Sequence, residues 1–203
     1  MKRTVIFFLL TATAVISYAQ DSINFTKGLM VNAPNRYGRE AIYSDLLAYH
    51  LFNGSLQKPA EGAAFSDSLK WQAVTADSLN RFRLRGGFGG GSQSYLYLTY
   101  NASKARTALL NVQGNSGLFF NGEPHTGDPY RSGWLYIPVK LKKGLNEIYI
   151  RGGFLTASLI FPDKRVILNT LDATMPFIVQ GHQNDQLYGA VVVINTTEKE
   201  LKG

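Results

Sequence analysis

The chain has 203 residues, 45% of them hydrophobic and only 17% charged, long enough to close a core and too apolar for a solvating disordered chain. It contains no cysteine, which removes disulfides, thiolate catalysis, Cys-ligated zinc and iron–sulfur clusters together. The net charge is +7, yet Lys and Arg are scattered singly or in pairs such as Lys142–Lys143, so a nucleic-acid partner is not expected.

Met1 to Thr4 form a short cationic start, Val5 to Ile16 an apolar run, and Ser17-Tyr18-Ala19 place small residues where a signal peptidase reads. Cleavage is expected between Ala19 and Gln20, making 1–19 a signal peptide. An apolar run of about twelve residues is too short for a membrane-crossing helix, which needs about 20. With no cysteine behind it for lipid attachment, the product is expected to be secreted or periplasmic, with no membrane association after cleavage.

Residues 20–39 lack sustained periodicity and read as a leader lying across the domain surface. From Glu40 to Phe52, Ile42, Leu46 and Tyr49 recur at helical spacing and Asn53-Gly54 supplies a stop, predicting one helix over 40–52. Residues 54–70 are loop-like, and Trp71 opens a long β region. Period-two alternation is clearest from Trp134 to Leu141, with Leu135, Ile137, Val139 and Leu141 pointing one way. Strands are also predicted at 95–100, 107–113, 117–120, 145–151 and 155–161. Turn signals fall between them at Asn101-Ala102-Ser103, Gly114-Asn115, Asn121-Gly122, Lys142-Lys143-Gly144 and Gly152-Gly153. Short, regularly spaced strands without crossover helices describe a mainly β, antiparallel sandwich. Arg165–Leu168 is a further short strand, followed by a linker. Ala190-Val191-Val192-Val193-Ile194 reads as a strand apolar on both faces, without evident neighbours. The expected organisation is therefore a sandwich over 71–168, with 169–203 a linker and the first strand of a truncated second domain.

Catalytic patterns are missing. Gly114-Asn115-Ser116-Gly117-Leu118 lacks the last glycine of a nucleophile elbow and reads as a hairpin loop. The tract Gly86 to Ser92 has no Gly-Lys-Ser/Thr ending and no following helix, so it reads as a bulged connection rather than a phosphate cradle. His50, His125 and His182 lack a second ligand at zinc spacing. Of the carboxylates in the β region, Glu123, Asp128 and Glu147 form no obvious acid/base pair. No catalytic residue, cofactor or metal is expected.

The richest polar and aromatic stretch is Asn121 to Trp134. Sugars are held by aromatic rings on their C–H faces and by planar polar groups on their hydroxyls. Tyr130, Trp134, Asp128 and Arg131 offer that mixture, with Asn121 and Glu123 as further candidate ligand-binding residues. The plainer alternative makes this a structural loop in which Asp128 accepts backbone N–H groups and Trp134 seals an edge of the sandwich.

Phe120-Asn121-Gly122-Glu123, Gly127-Asp128-Pro129-Tyr130, Trp134 to Val139, and Leu141-Lys142-Lys143-Gly144-Leu145-Asn146-Glu147-Ile148 together resemble the galactose-binding-like β-sandwich of secreted bacterial hydrolases and carbohydrate-active enzymes. With Trp71–Asp77 and the Tyr95–Tyr100 strand, the likeness narrows to the sandwich placed ahead of the catalytic domain in prolyl-oligopeptidase-like α/β-hydrolases. The resemblance spans about residues 70–175 and implies a jelly-roll fold, a downstream catalytic domain of the same full-length protein as partner, and glycan contact as a second role. No residue of a serine triad carries over, and no catalytic domain follows. The expected function is a non-catalytic accessory module; the alternatives are a stand-alone carbohydrate-binding module and a small secreted hydrolase.

Overall fold

Alternation is the strongest organising force in this chain, and residues 95–98 use it to serve two cores at once. Leu96 and Leu98 bury in one apolar cluster, while Tyr95 and Tyr97, projecting from the other face, bury in a second. The computed structural model describes residues 21–32, 45–84, 94–181 and 186–202. It is mainly β, with antiparallel sheets and one short helix. The expected signal peptide, the 86–92 glycine tract and His182 lie outside the described residues.

The elements are β1 (Asp21–Asn24), β2 (Lys27–Val31), α1 (Leu46–Phe52), β3 (Ala64–Ser66), β4 (Leu69–Lys70), β5 (Gln72–Thr75), β6 (Phe82–Arg83), β7 (Tyr95–Ala102), β8 (Arg106–Phe120), β9 (Glu123–His125), β10 (Ile137–Leu141), β11 (Gly144–Phe161), β12 (Val166–Thr174) and β13 (Ala190–Asn195). Nine of the strands share one sheet in the order β10-β8-β11-β7-β2-β5, with β1 and β6 also pairing β11 and β9 pairing β8. All their pairings are antiparallel.

Several expectations are corrected here. The segment read as a leader supplies two strands: β1 pairs with Ser158–Phe161, and β2 lies between β5 and β7. The loop-like stretch at 54–70 holds the β3–β4 hairpin. Gly114–Gly117 is not a hairpin loop and Gly152-Gly153 is not a turn, because both lie inside the long strands β8 and β11. The two glycine sites face one another where the β8–β11 register shifts, between Arg151 and Thr156. A side chain on Gly152 would stand 2.7 Å from the Gly114 carbonyl oxygen, so the glycines permit close approach and a shared bend instead of chain reversal.

The helix is seen over Leu46–Phe52, and residues 40–44 lie outside the described residues. Asp45 caps it, its carboxylate accepting the backbone N–H groups of Leu47 and Ala48, both at 3.1 Å. Its buried face is set by Leu47, with Leu51 one turn on, and not by Tyr49, which is 62% exposed. Leu47 completes a cluster with Val31, Phe65, Trp71, Tyr95, Tyr97 and Tyr149. Helix and β3–β4 hairpin thus cover the sheet face opposite the main core. Aromatic edges tie this cover together, with Phe65–Trp71 and Tyr97–Tyr149 centroids 5.6 and 4.8 Å apart.

The main core draws Leu110 and Leu118 from the two halves of β8, and Ile148, Ile150, Leu155 and Leu159 from the two halves of β11. Ile137, Val139 and Leu141 of β10 also bury there, while Pro138 and Lys140 between them are exposed, as the alternation predicts. Trp134 to Tyr136 do not join that strand. The Asn121-Gly122 turn has φ of 50° and 89° and joins Phe120 to Glu123, the two-residue hairpin its sequence calls for.

The strand read as partnerless at 190–194 has a partner. It pairs antiparallel with β12, which runs to Thr174, beyond the expected end at Leu168. Ile194 is buried, but Val191, Val192 and Val193 remain 41%, 42% and 61% exposed on this two-stranded ribbon.

Candidate functional site

The loop between β9 and β10 is folded around Asp128, which is buried. Its Oδ1 accepts from the backbone N–H and the hydroxyl of Ser132 at 2.9 and 2.8 Å, and its Oδ2 accepts from the N–H of Gly133 at 2.9 Å. Its carbonyl receives the N–H groups of Gly114 and Arg131. Burial pulls the Asp128 carboxyl upward, but the donors of Gly133, Ser132 and Arg131 outweigh it and hold the group below the ordinary 3.8. The carboxylate is therefore a staple that closes the loop.

Two buried asparagines hold the backbone from Gly133 to Leu135. Asn111 Nδ2 donates to the carbonyls of Gly133 and Leu135 at 3.1 and 2.9 Å, and Asn169 Nδ2 of β12 donates to the carbonyl of Trp134 at 2.7 Å. The backbone of Trp134 is fixed while its indole stays 47% exposed. Tyr130 stands beside it, 92% exposed. Together with Thr126, Gly127, Pro129 and Leu135, these two rings line an open depression of about 300 Å³, with Asp128 and Ser132 in its wall. Exposed aromatic faces beside a carboxylate and a hydroxyl can stack on a pyranose and bind its hydroxyls.

The other candidates go elsewhere. Arg131 turns away from the depression: its Nη1 donates to the carbonyl of Phe154 at 2.9 Å and its guanidinium stacks 4.2 Å above that ring. Its φ of 57° is a left-handed conformation that costs an L-residue about 1–2 kcal/mol. Asn121 serves the turns, donating to Asn146 Oδ1 at 2.9 Å and accepting from the Glu147 N–H at 3.0 Å. Glu123 is exposed on β9 opposite Phe120 and does not line the depression. The loop therefore brings together Asp128, Tyr130 and Trp134, and leaves out Asn121, Glu123 and Arg131.

Sequence reasoning missed Asn111 and Asn169, which position the loop; Asn146, wholly buried, bonds locally to Lys142 and Gly144 at the turn into β11, as the turn's sequence calls for. Asparagine is disfavoured in strands, so one inside an apolar alternation, as in Leu110-Asn111-Val112, is the signal that was available. A second cavity, of about 330 Å³, lies between Thr107 and Lys140 on one side and Asn195 to Glu200 on the other. Among the described residues, no three His, Asp or Glu side chains gather closely enough to hold a metal ion, and no helix is long and apolar enough to cross a membrane.

Comparison with known families, with curated proteins and with solved structures finds no match.

Proposed function

We propose that this chain is a secreted, non-catalytic accessory module: a galactose-binding-like, jelly-roll sandwich at the N-terminal side of a larger hydrolase, exported by a signal peptide cleaved after Ala19. The sandwich reading is supported by a single apolar cluster that takes side chains from both halves of the bent strands β8 and β11. The module's main work is packing against a catalytic domain. The observation that carries this is the apolar surface of the β12–β13 ribbon and its connection, where Leu168, Leu171, Phe177, Ile178 and Val193 are 58%, 63%, 93%, 78% and 61% exposed. Patches of this kind mark protein interfaces.

The test is to express the mature chain alone and joined to the coding sequence downstream of it, and to compare hydrogen exchange over 166–195. Protection of the ribbon in the longer protein supports the packing role; identical exchange in both defeats it.

A second reading, a stand-alone carbohydrate-binding module, is favoured by the Tyr130–Trp134 depression. It requires a monodisperse 20–203 fragment whose binding on a glycan array disappears in Tyr130→Ala and Trp134→Ala.

A further inference from the structure

Three arginines converge on one ring. The guanidinium carbons of Arg131, Arg83 and Arg81 lie 4.2, 5.0 and 5.7 Å from the centroid of Phe154. They arrive from two separate places. Arg81 and Arg83 flank Phe82, and the pairing of β6 with Phe154 and Leu155 fixes them beside the ring. Arg131 reaches it from the 121–136 loop, anchored on the Phe154 carbonyl. All three guanidinium carbons thus lie within 5.7 Å of one point, the centroid of the Phe154 ring. Among the described residues the other stacked ring, Phe161, holds a single cation, Arg106, at 3.6 Å.

Counter-charge is scarce. Among the described residues the one carboxylate within 4 Å of any of the three is Asp77, with Oδ2 at 2.9 Å from Arg81 Nε and 3.5 Å from Arg83 Nε. Its Oδ1 is already taken by the backbone N–H groups of Leu79 and Arg81. The face of Phe154 attracts cations through its quadrupole but carries no net charge, so it cancels none of theirs. One negative charge against three positive leaves an excess of two. Asp77 engages only the Nε positions, so the terminal Nη groups of Arg81 and Arg83 have no acceptor among the described residues, and the Arg83 side chain is 63% exposed.

We propose that this cluster is an oxyanion-binding site, in which a sulfate, phosphate or carboxylate group is held by the free Nη groups of Arg81 and Arg83 beside the charge of Arg131. Planar guanidinium forks suit such groups, and the binding is strengthened where like charges already need an anion. The site is distinct from the Tyr130–Trp134 depression, which Arg131 does not line, and does not depend on glycan binding there. The oxyanion can be a free ion or a substituent on an acidic polymer, since both present the same oxygens.

Calorimetric titration of the exported chain with sodium sulfate, against sodium chloride at matched ionic strength, tests this. The wild type is expected to show saturable sulfate binding. The double variant Arg81→Gln/Arg83→Gln is expected to bind roughly tenfold more weakly. Lys143→Gln, which removes one exposed charge elsewhere, is expected to bind as the wild type does. Arg83→Gln alone, altering a largely exposed side chain, keeps the fold and provides the same comparison if the double variant unfolds. Absence of saturable binding by the wild type, or an equal loss in Lys143→Gln and Arg83→Gln, overturns the proposal. Dextran sulfate and neutral dextran separate the sources: tighter binding of the sulfated polymer, lost in Arg83→Gln, identifies a polymer-borne group, whereas sulfate binding with no gain from the polymer identifies a free ion.

Discussion

Asn169 Nδ2 donates to the carbonyl oxygen of Trp134 at 2.7 Å, and that bond fastens the C-terminal ribbon to the loop carrying the exposed aromatic rings. Asn111 holds the carbonyls on either side, so three successive peptide units depend on two buried amides. Replacing Asn111 by Ala strands two carbonyls and should cost about 2–3 kcal/mol. Urea denaturation would measure it. Tyr130→Ala should change the unfolding free energy by less than about 0.5 kcal/mol, since that ring is almost wholly exposed. Equal effects in the two variants would mean that the loop is not held as described.

Acid should lower the stability of the fold over two pH ranges. His125 has a buried Nε2 without a partner, and burial lowers its pKa from the ordinary 6.5 against the opposing charge of Glu123. A depressed pKa makes its contribution complete above 6.5 and progressively lost below it, because the unfolded chain takes up the proton first. Asp128 is likewise depressed, so its contribution is complete above 3.8 and lost as pH falls further. His125→Gln should flatten the stability profile just below pH 6.5 and leave the lower range unchanged; Asp128→Asn should weaken the pH dependence in the lower range and destabilise at neutral pH. Thermal midpoints across the pH range would separate the two, and a His125→Gln profile superimposable on the wild type would contradict the first assignment.

Where alternation or turn chemistry was decisive, the sequence was legible: Ile137, Val139 and Leu141 face the core, and Asn121-Gly122 makes its hairpin. β1 and β2 were not. Asp21–Asn24 and Lys27–Val31 carry no clean periodicity and are strands because Ser158–Phe161 and Tyr95–Tyr97 offer them a ladder. A glycine in a β pattern is ambiguous between a reversal and a bend, which is why β8 and β11 each read as two strands. At the site, the exposed rings of Tyr130 and Trp134 announced themselves as aromatic residues in a polar loop. The convergence of Arg81, Arg83 and Arg131 on Phe154 could not, since only the long-range pairing of β6 and β11 creates it.

The bend itself is testable at Gly114. Its φ is +80°, and a Cβ there would collide with the Phe154 carbonyl oxygen and press on Arg131. Both faults act at once, so Gly114→Ala should cost about 3 kcal/mol or more. Because the displaced carbonyl is the acceptor for Arg131 Nη1, the same change should also loosen the 121–136 loop. Chemical denaturation combined with hydrogen exchange at Ser132 and Gly133 would detect both effects. Near-wild-type stability would show that the two strands approach less closely at this point.

The ribbon makes the last prediction. Val191, Val192 and Val193 are uncharged, β-branched and exposed in a strand paired on one side with β12 and with no second strand partner among the described residues, a combination that templates association. The chain on its own should therefore self-associate as its concentration rises. Val193→Lys places a charge on the most exposed of the three and should suppress association, with a stability change within about 0.5 kcal/mol because the side chain packs against little. Light scattering over a concentration series would track it. If the wild type stays monomeric throughout, the ribbon is not adhesive and the packing role loses its main support; if Val193→Lys associates as readily as the wild type, the adhesive surface lies elsewhere, with Phe177 and Ile178 the next to change.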